Sequence, residues 1–550
     1  MASFRIALVG AGSRSFGPST VCDVLLSKPL ADAGAELVLM DIDERAVREV
    51  EDYARWVAGR LGSPIPIRST ARLEEALDGA RAVVDAIEVS RDVYWAMDFH
   101  VPRNYGFRQI YGENGGPGSL FHALRNMGPI VEIARAMERL CPDALLLNYT
   151  NPMHKLCEAA TRLTGARVVG LCHGIAMGIG QLSAMLGVPS EDLEVEAAGI
   201  NHCTWFTQIR RKTTGEDLYP ALREADRQGD PLYDWHEVGL SRILLRRFGL
   251  YPSPGANHIG EYIGWADEFF ASNLHWYYDP CDGHPWETGR APEFVYTVGA
   301  VSTHRPLKRE PAAEERTIPR GEIHPSGENA QPILEALATG QAREIDAVNV
   351  PNRGYVPNLP EGTVVEVPAV ADGEGVHPKV TRELPEPVAA ILRTQASIQR
   401  LLVEAYAERS KAKLLQAVLL EPTVDSYRRA VAMVDEMLRL QKEILPPPGV
   451  SHEGRRGGHR RDQDGARPVR GASAVGAGDG GDGALRGHPR SHRGVGLEPV
   501  PGGRRRRLPG SAGRGDRVFG VRHPGGLASP APRGRSSASA QVADDDRERR

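Results

Sequence analysis

The 550-residue chain is 41% hydrophobic and 25% charged, proportions of a soluble globular protein with room for two or three domains. No apolar run reaches the roughly 18 residues of a membrane-spanning helix, and Met1-Ala2-Ser3-Phe4-Arg5 enters a strand without the layout of a signal peptide. The formal charge of -4 is uneven: the last hundred residues hold 21 Arg, no Lys and 11 Asp or Glu, so the preceding body is acidic, which argues against nucleic acid as its partner.

Phe4-Arg5-Ile6-Ala7-Leu8-Val9 has the apolar run of a buried parallel strand. It leads into Gly10-Ala11-Gly12-Ser13-Arg14-Ser15 and a helical stretch to Leu26, the strand–turn–helix order of a dinucleotide-binding βαβ unit. Gly10 permits the tight turn, and Gly12 lets the backbone approach a pyrophosphate held at the helix N-terminus. Ser15 replaces the third glycine of the fingerprint. Residues 36–40 form the next strand, closed by Asp41, whose carboxylate can accept hydrogen bonds from an adenosine ribose. A βαβ unit without a cofactor is the alternative.

Helical spacing follows over 45–61, a strand over 83–87 and a charged, aromatic helix over 88–105. The stretch from Ile110 to Gly118 is too rich in glycine for helix or strand, and a helix begins at Ser119. Glu113 on this loop is either a general acid or a cap on that helix. The strand at 144–147 runs into Asn148-Tyr149-Thr150-Asn151-Pro152, whose amides serve a ligand or an Asx turn. A helix over 156–163 returns the chain to a strand at 167–171, which ends at Cys172-His173-Gly174 before another helix, 175–186.

A further apolar run, 193–198, precedes Asn201-His202. If both runs are strands of one sheet, Cys172 and His202 lie at strand ends, where open α/β sheets bind ligands. A thiolate and an imidazole then converge on one cation. The competing reading is an inert buried thiol and an unrelated loop histidine.

After His202 the strand–helix rhythm weakens. A strand fits 204–209, and 252–262 is a loop leading into an aromatic helix, with His258, Glu261 and Tyr262 as proton carriers or packing residues. Long amphipathic helices at 385–407 and 424–440 are expected to pack on the second half. The six cysteines, Cys22, Cys141, Cys157, Cys172, Cys203 and Cys281, lack disulfide-framework spacing, which fits a reduced, cytoplasmic protein. From about Pro446 onward Lys, Ile, Asn, Thr, Tyr, Trp, Cys and Met vanish. Such a segment buries too little apolar surface to offset its ordering entropy, so a disordered Arg/Gly-rich tail is expected over 446–550. Its composition also resembles a GC-rich gene read in a shifted frame.

Taken in order, the Gly10-Ala11-Gly12-Ser13 turn, Glu113-Asn114-Gly115-Gly116-Pro117-Gly118, Asn148-Tyr149-Thr150-Asn151-Pro152, Cys172-His173-Gly174-Ile175 and Asn201-His202 resemble glycoside hydrolase family 4, the NAD-dependent glycosidases. The resemblance covers residues 4 to 445. It implies an N-terminal Rossmann-like parallel sheet domain (1–200), a C-terminal α+β catalytic and oligomerisation domain (201–445) and the tail. It implies a redox route: hydride leaves C3 of the sugar for NAD+, the C2 proton is abstracted, the glycosidic bond breaks by elimination, water adds and the hydride returns. A divalent metal on the C2 and C3 oxygens acts as Lewis acid.

By the same resemblance Cys172 and His202 are metal ligands, and Asn151, His173 and Asn201 contact substrate. Glu113 is the acid, and Gly10, Gly12, Ser13 and Asp41 form the dinucleotide site. Tyr262 and His258 are candidates for the base, with Ala256 standing where some relatives carry an acid. A thiolate ligand alone favours a soft metal such as zinc; the family's use of Mn2+ decides for manganese. Cys-His-Gly is similar to the uronide and neutral α-glycoside branches, which implies an α-glucuronidase or α-galacturonidase first and an α-glucosidase or α-galactosidase next. A small carbohydrate substrate, a homodimer or homotetramer, and no nucleic-acid or membrane partner follow. The alternative class is an NAD-dependent 2-hydroxy acid dehydrogenase, which would need a His-Asp relay and no Cys-His metal pair.

Overall fold

The computed structural model describes residues 3–13, 16–228, 238–269 and 318–445. Among them twelve strands join one sheet: β1 (Phe4–Val9), β2 (Ala35–Met40), β3 (Ile67–Thr70), β4 (Ala82–Asp85), β5 (Leu145–Asn148), β6 (Arg167–Gly170), β7 (Leu193–Ile200), β8 (Cys203–Arg211), β9 (Tyr251–Ser253), β10 (Arg343–Pro351), β11 (Val364–Asp372) and β12 (Gly375–Pro378). The order is β3-β2-β1-β4-β5-β6-β10-β11-β7-β8-β9, with β12 paired to β11. The first six strands are parallel, and the remaining pairings are antiparallel. This is the expected α/β architecture, a Rossmann-like parallel sheet continued by an α+β part. The tail at 446–550 lies outside the described residues.

Period-two alternation divides each parallel strand between two cores. Ile6 and Leu8 of β1, Leu37 and Leu39 of β2 and Val84 of β4 pack with Val47, Val50 and Val57 of the Glu44–Leu61 helix. Ala7, Val9, Val38 and Val83 face the opposite core, with Leu120 and Met127 of the Gly116–Leu140 helix and Leu156 of the Met153–Leu163 helix. Helices on both faces require strands that are apolar throughout, which is why these strands read as continuous runs. Burying each such Val, Leu or Ile side chain contributes about 1.5–3 kcal/mol.

Three features depart from the sequence expectation. β10 and β11 lie between β6 and β7, so the C-terminal half supplies the middle of the sheet. The loop helix begins at Gly116 rather than Ser119, because its first amides find acceptors elsewhere in the chain. The Glu386–Glu408 and Tyr427–Leu440 helices carry most of their apolar faces onto the first half; only the start of Glu386–Glu408 (Val388, Ala389, Leu392) shares a core with Val356 and Val365 of the second. Their apolar faces (Ile398, Leu402, Met433, Met437) join the core of the Gly116–Leu140 and Met153–Leu163 helices. Gln399 also donates to buried Glu158 at 2.5 Å. No described helix is long and apolar enough to cross a membrane.

Candidate active site

At the carboxyl end of β1 the chain turns through Gly10, φ +78°, where a Cβ would stand 2.7 Å from the Ala86 carbonyl oxygen. The Gly10 and Ala11 amides both donate to the Met40 carbonyl at 2.9 Å, tying the turn to the end of β2. A Cβ on Gly12 would meet Asp41 Oδ2 at 2.8 Å, and the Gly12 amide donates to that same oxygen at 2.9 Å. Asp41 Oδ1 accepts from the Asp43 amide at 2.9 Å. Ser13 Oγ accepts from the Phe16 amide at 3.3 Å. Gly10, Gly12, Ser13, Asp41, Ile42 and Glu88 are among the residues lining a cavity of about 600 Å³. Ile42, 88% exposed, offers an apolar face at its mouth. Arg14 and Ser15 lie outside the described residues.

Cys172 follows β6, and His202 sits in the two-residue turn between β7 and β8, where Ile200 pairs with Cys203. His202 holds φ +63°, a left-handed conformation unusual for a side-chain-bearing residue and one that marks functional positions. Cys172 Sγ and His202 Nε2 are 3.4 Å apart. Two such donors each about 2.0–2.3 Å from one ion would lie about 3–3.6 Å apart, so the pair fits a shared cation. Burial, then the Glu366 charge, pushes the Cys172 thiol up to about 12. Burial, then the neighbouring His258, holds the His202 imidazole well below its usual range, in the neutral form a metal needs. His202 Nδ1 and Asn201 Oδ1 are buried with no hydrogen-bond partner. The neighbouring Asn201 Nδ2 donates to Glu366 Oε1 at 3.1 Å.

His258 stacks obliquely on His202, ring centroids 4.6 Å apart. With Glu261 they bring three possible ligand atoms within 4.8 Å of one another. Glu261, however, is already engaged: its Oε1 accepts from the amides of Glu113 at 2.8 Å and Asn114 at 3.1 Å. Burial first, and then the Glu113 charge, raises the Glu261 carboxyl to about 8. The buried Glu421 accepts from the Gly116 amide at 3.1 Å, and Lys155 Nζ donates to the Asn114 carbonyl. These buried side chains cap a helix start that glycine alone could not hold.

The same clamp fixes Glu113, which is buried and accepts from Arg91 Nη2 at 2.7 Å. Burial raises its carboxyl, but the Arg91 charge, with His122, outweighs that and holds it below the usual range. The ring nitrogens of His122 face two acceptors, the Glu113 carbonyl at 2.9 Å and Glu88 Oε2 at 3.0 Å. Glu88 also lines the cavity beside Gly12, so one hydrogen-bonded chain joins that cavity to Glu113.

Asn151 Oδ1 is buried without a partner, and the Asn151 carbonyl accepts from Asn126 Nδ2 at 3.2 Å. The His173 side chain, 52% exposed, bonds Glu328 Oε1 through Nδ1 at 3.1 Å. The buried Tyr262 hydroxyl donates to the Asn201 carbonyl at 3.1 Å. Thus Cys172, His202, Asn201, His258 and Tyr262 are brought into one cluster, with Glu261 joining it to Glu113. Sequence reasoning missed Glu88, Arg91, His122, Lys155, Glu328 and Glu421. Only Glu88, three residues beyond the end of β4, carried a signal, its place outside a parallel strand's carboxyl end.

This fold, with a dinucleotide-type turn and a thiol–imidazole pair that follows two strands of the same sheet, meets its counterpart among known proteins. The sequence profile described as Family 4 glycosyl hydrolase matches residues 5–188, and that of the Family 4 glycosyl hydrolase C-terminal domain matches 197–424. The chain belongs to family 4 of the glycosyl hydrolases. An α-glucosidase of Erwinia rhapontici is 31% identical over 478 residues, spanning 80% of this chain and 98% of that one. An α-galactosidase of Bacillus subtilis (strain 168) is 30% identical over 455 residues, spanning 80% and 99%. Among solved structures, a 6-phospho-α-glucosidase from gut microorganisms, in complex with NAD and Mn2+, superposes with a TM-score of 0.65 at 22% identity, covering 82% of this chain and 100% of that one.

Proposed function

We propose that the chain is a cytoplasmic α-glycosidase that cleaves its substrate by oxidation, elimination, addition and reduction, with NAD+ and Mn2+ as cofactors. The observation that carries this reading is the 3.4 Å Cys172–His202 pair, linked through Glu261, Glu113, His122 and Glu88 to a cavity built on Gly10, Gly12 and Asp41. The solved family member holding NAD and Mn2+ supports the choice of cofactors. When bound, the dinucleotide supplies a hydride acceptor and the cation a Lewis acid.

The residues divide the remaining work. Gly10, Gly12 and Ser13 would hold the dinucleotide's pyrophosphate, and Asp41 would accept from its ribose. Cys172 and His202 would hold the cation, and Asn151, His173 and Asn201 orient the sugar. His258, neutral and against His202, is the base; Tyr262, whose hydroxyl burial pushes well above its usual range and which is tied to Asn201, is the weaker candidate. Glu113 carries the proton for the leaving oxygen, and Arg91 must release it before it can act as an acid.

Residues 1–200 are proposed to bind the dinucleotide and 201–445 to complete the site and form a homodimer or homotetramer. Two sugar classes suit this chemistry. Uronides rest on the likeness of Cys172-His173-Gly174 to that branch, and neutral hexosides on the α-glucosidase and α-galactosidase relatives. The test is a panel of p-nitrophenyl α-glycosides and α-uronides with NAD+, Mn2+ and a thiol reductant. Turnover with catalytic NAD+ is expected. Stoichiometric NADH build-up without glycoside cleavage would instead mark a dehydrogenase.

A further inference from the structure

The segment that enters the Ala330–Thr339 helix is anchored on both sides of Glu328. Upstream, the Ser326 amide donates to Asp23 Oδ1 at 2.7 Å and its hydroxyl to Asp23 Oδ2, while the Glu328 amide donates to Ser326 Oγ at 3.0 Å. Downstream, the Ala330 amide donates to the Tyr149 hydroxyl at 3.0 Å. This scaffold holds the Glu328 side chain, 15% exposed, against the open ring of His173, next to Cys172. One carboxylate oxygen takes His173 Nδ1; the other, Oε2, is buried with no hydrogen-bond partner. An acceptor buried without a donor is costly, and a carboxylate accepts only.

We propose that Glu328 is a substrate-reading residue that accepts a sugar hydroxyl through Oε2 and thereby selects uncharged α-hexosides over α-uronides. A hydroxyl supplies the donor that Oε2 lacks. A uronate carboxylate at the same place brings a second anion beside the first and leaves Oε2 still without a donor, a repulsive element of the kind that sets specificity. His173 Nδ1 is committed to Glu328, so only its Nε2 is left to face the sugar. The proposal rests on the glycosidase reading above and deepens it by naming the sugar class.

The experiment compares wild type, Glu328→Gln and Glu328→Asp on p-nitrophenyl α-glucoside, α-galactoside, α-glucuronide and α-galacturonide, with NAD+ and Mn2+. Wild type is expected to favour the neutral pair. Glu328→Gln should lower kcat/KM on the neutral pair by about 10-fold or more, as loss of a hydrogen bond to a charged acceptor does. Its uronide rates should hold or rise, and its affinity for NAD+ should not change. Competitive inhibition of wild type gives a second readout that needs no variant: glucose or galactose should bind more tightly than glucuronate or galacturonate. A wild type that prefers uronides, or a Glu328→Gln that slows all four substrates equally, overturns the assignment while leaving the glycosidase reading intact. A wild type that cleaves none of the four overturns that reading and this one with it.

Discussion

Cys172 Sγ and His202 Nε2 stand 3.4 Å apart across 30 residues of chain, one at the end of a parallel strand and the other in a hairpin turn on the antiparallel part of the same sheet. Neither element places both groups, since β10 and β11 stand between β6 and β7 in the sheet.

If that pair holds the catalytic cation, Cys172→Ser and His202→Ala should each reduce turnover by about 100-fold or more, since each removes one of two protein ligands to a Lewis acid. EDTA should inactivate wild type, and Mn2+ should restore it. Steady-state assays of metal-stripped and reloaded enzyme check this; full activity in a rigorously metal-free preparation would count against it.

Arg91 sets the proton affinity of Glu113. With the guanidinium present the carboxyl lies below its usual range, so it is ionised at neutral pH, and acid catalysis falls away as pH rises through that depressed value. Arg91→Gln removes the largest opposing charge while burial remains, so the Glu113 value rises. The basic limb of the kcat profile should then move to higher pH, most visibly on substrates with poor leaving groups. The stabilising contribution of the ion pair, present above the unfolded carboxyl value and lost as pH falls through the folded one, should vanish in the same variant. An unmoved pH profile would remove Glu113 from the acid role.

His258 and Tyr262 are separable. Tyr262→Phe deletes one buried hydrogen bond and should cost about 1 kcal/mol of stability with little change in kcat. His258→Gln should leave the melting temperature close to wild type but lower kcat by about 100-fold, within the range of a general base. The reverse pattern would exchange their roles.

Much of the N-terminal half was legible from sequence, because β1, β2 and β4 are buried on both faces and show as unbroken apolar runs. Cys172 and His202 could be paired because strand-end position is a topological property that chain order reveals. The clamp around Glu113 was not legible. Glu261, Glu421 and Lys155 reach the loop from segments far away in sequence; Glu261 reads alone as a proton carrier or packing residue, with nothing to tie it to Glu113, and Glu421 and Lys155 carry no signal, although all three are buried. Glu328 was hidden for the same reason. The packing of the C-terminal helices was misjudged because periodicity gives the apolar face of a helix and not what that face covers.

Truncation after Gly449 should leave melting temperature and activity unchanged, since the composition beyond it lacks the apolar residues for a core. Calorimetry and assay of the shortened chain check this, and a large fall in either would make the segment integral.

The most direct measurement is hydrogen exchange at C2 of the released sugar. Cleavage by oxidation and elimination breaks the C2–H bond, whereas displacement at C1 leaves it whole. In D2O, with NAD+ and Mn2+ present, the product analysed by mass spectrometry and NMR should carry deuterium at C2. Product formed without deuterium there, at a rate that survives removal of NAD+, would contradict the redox route.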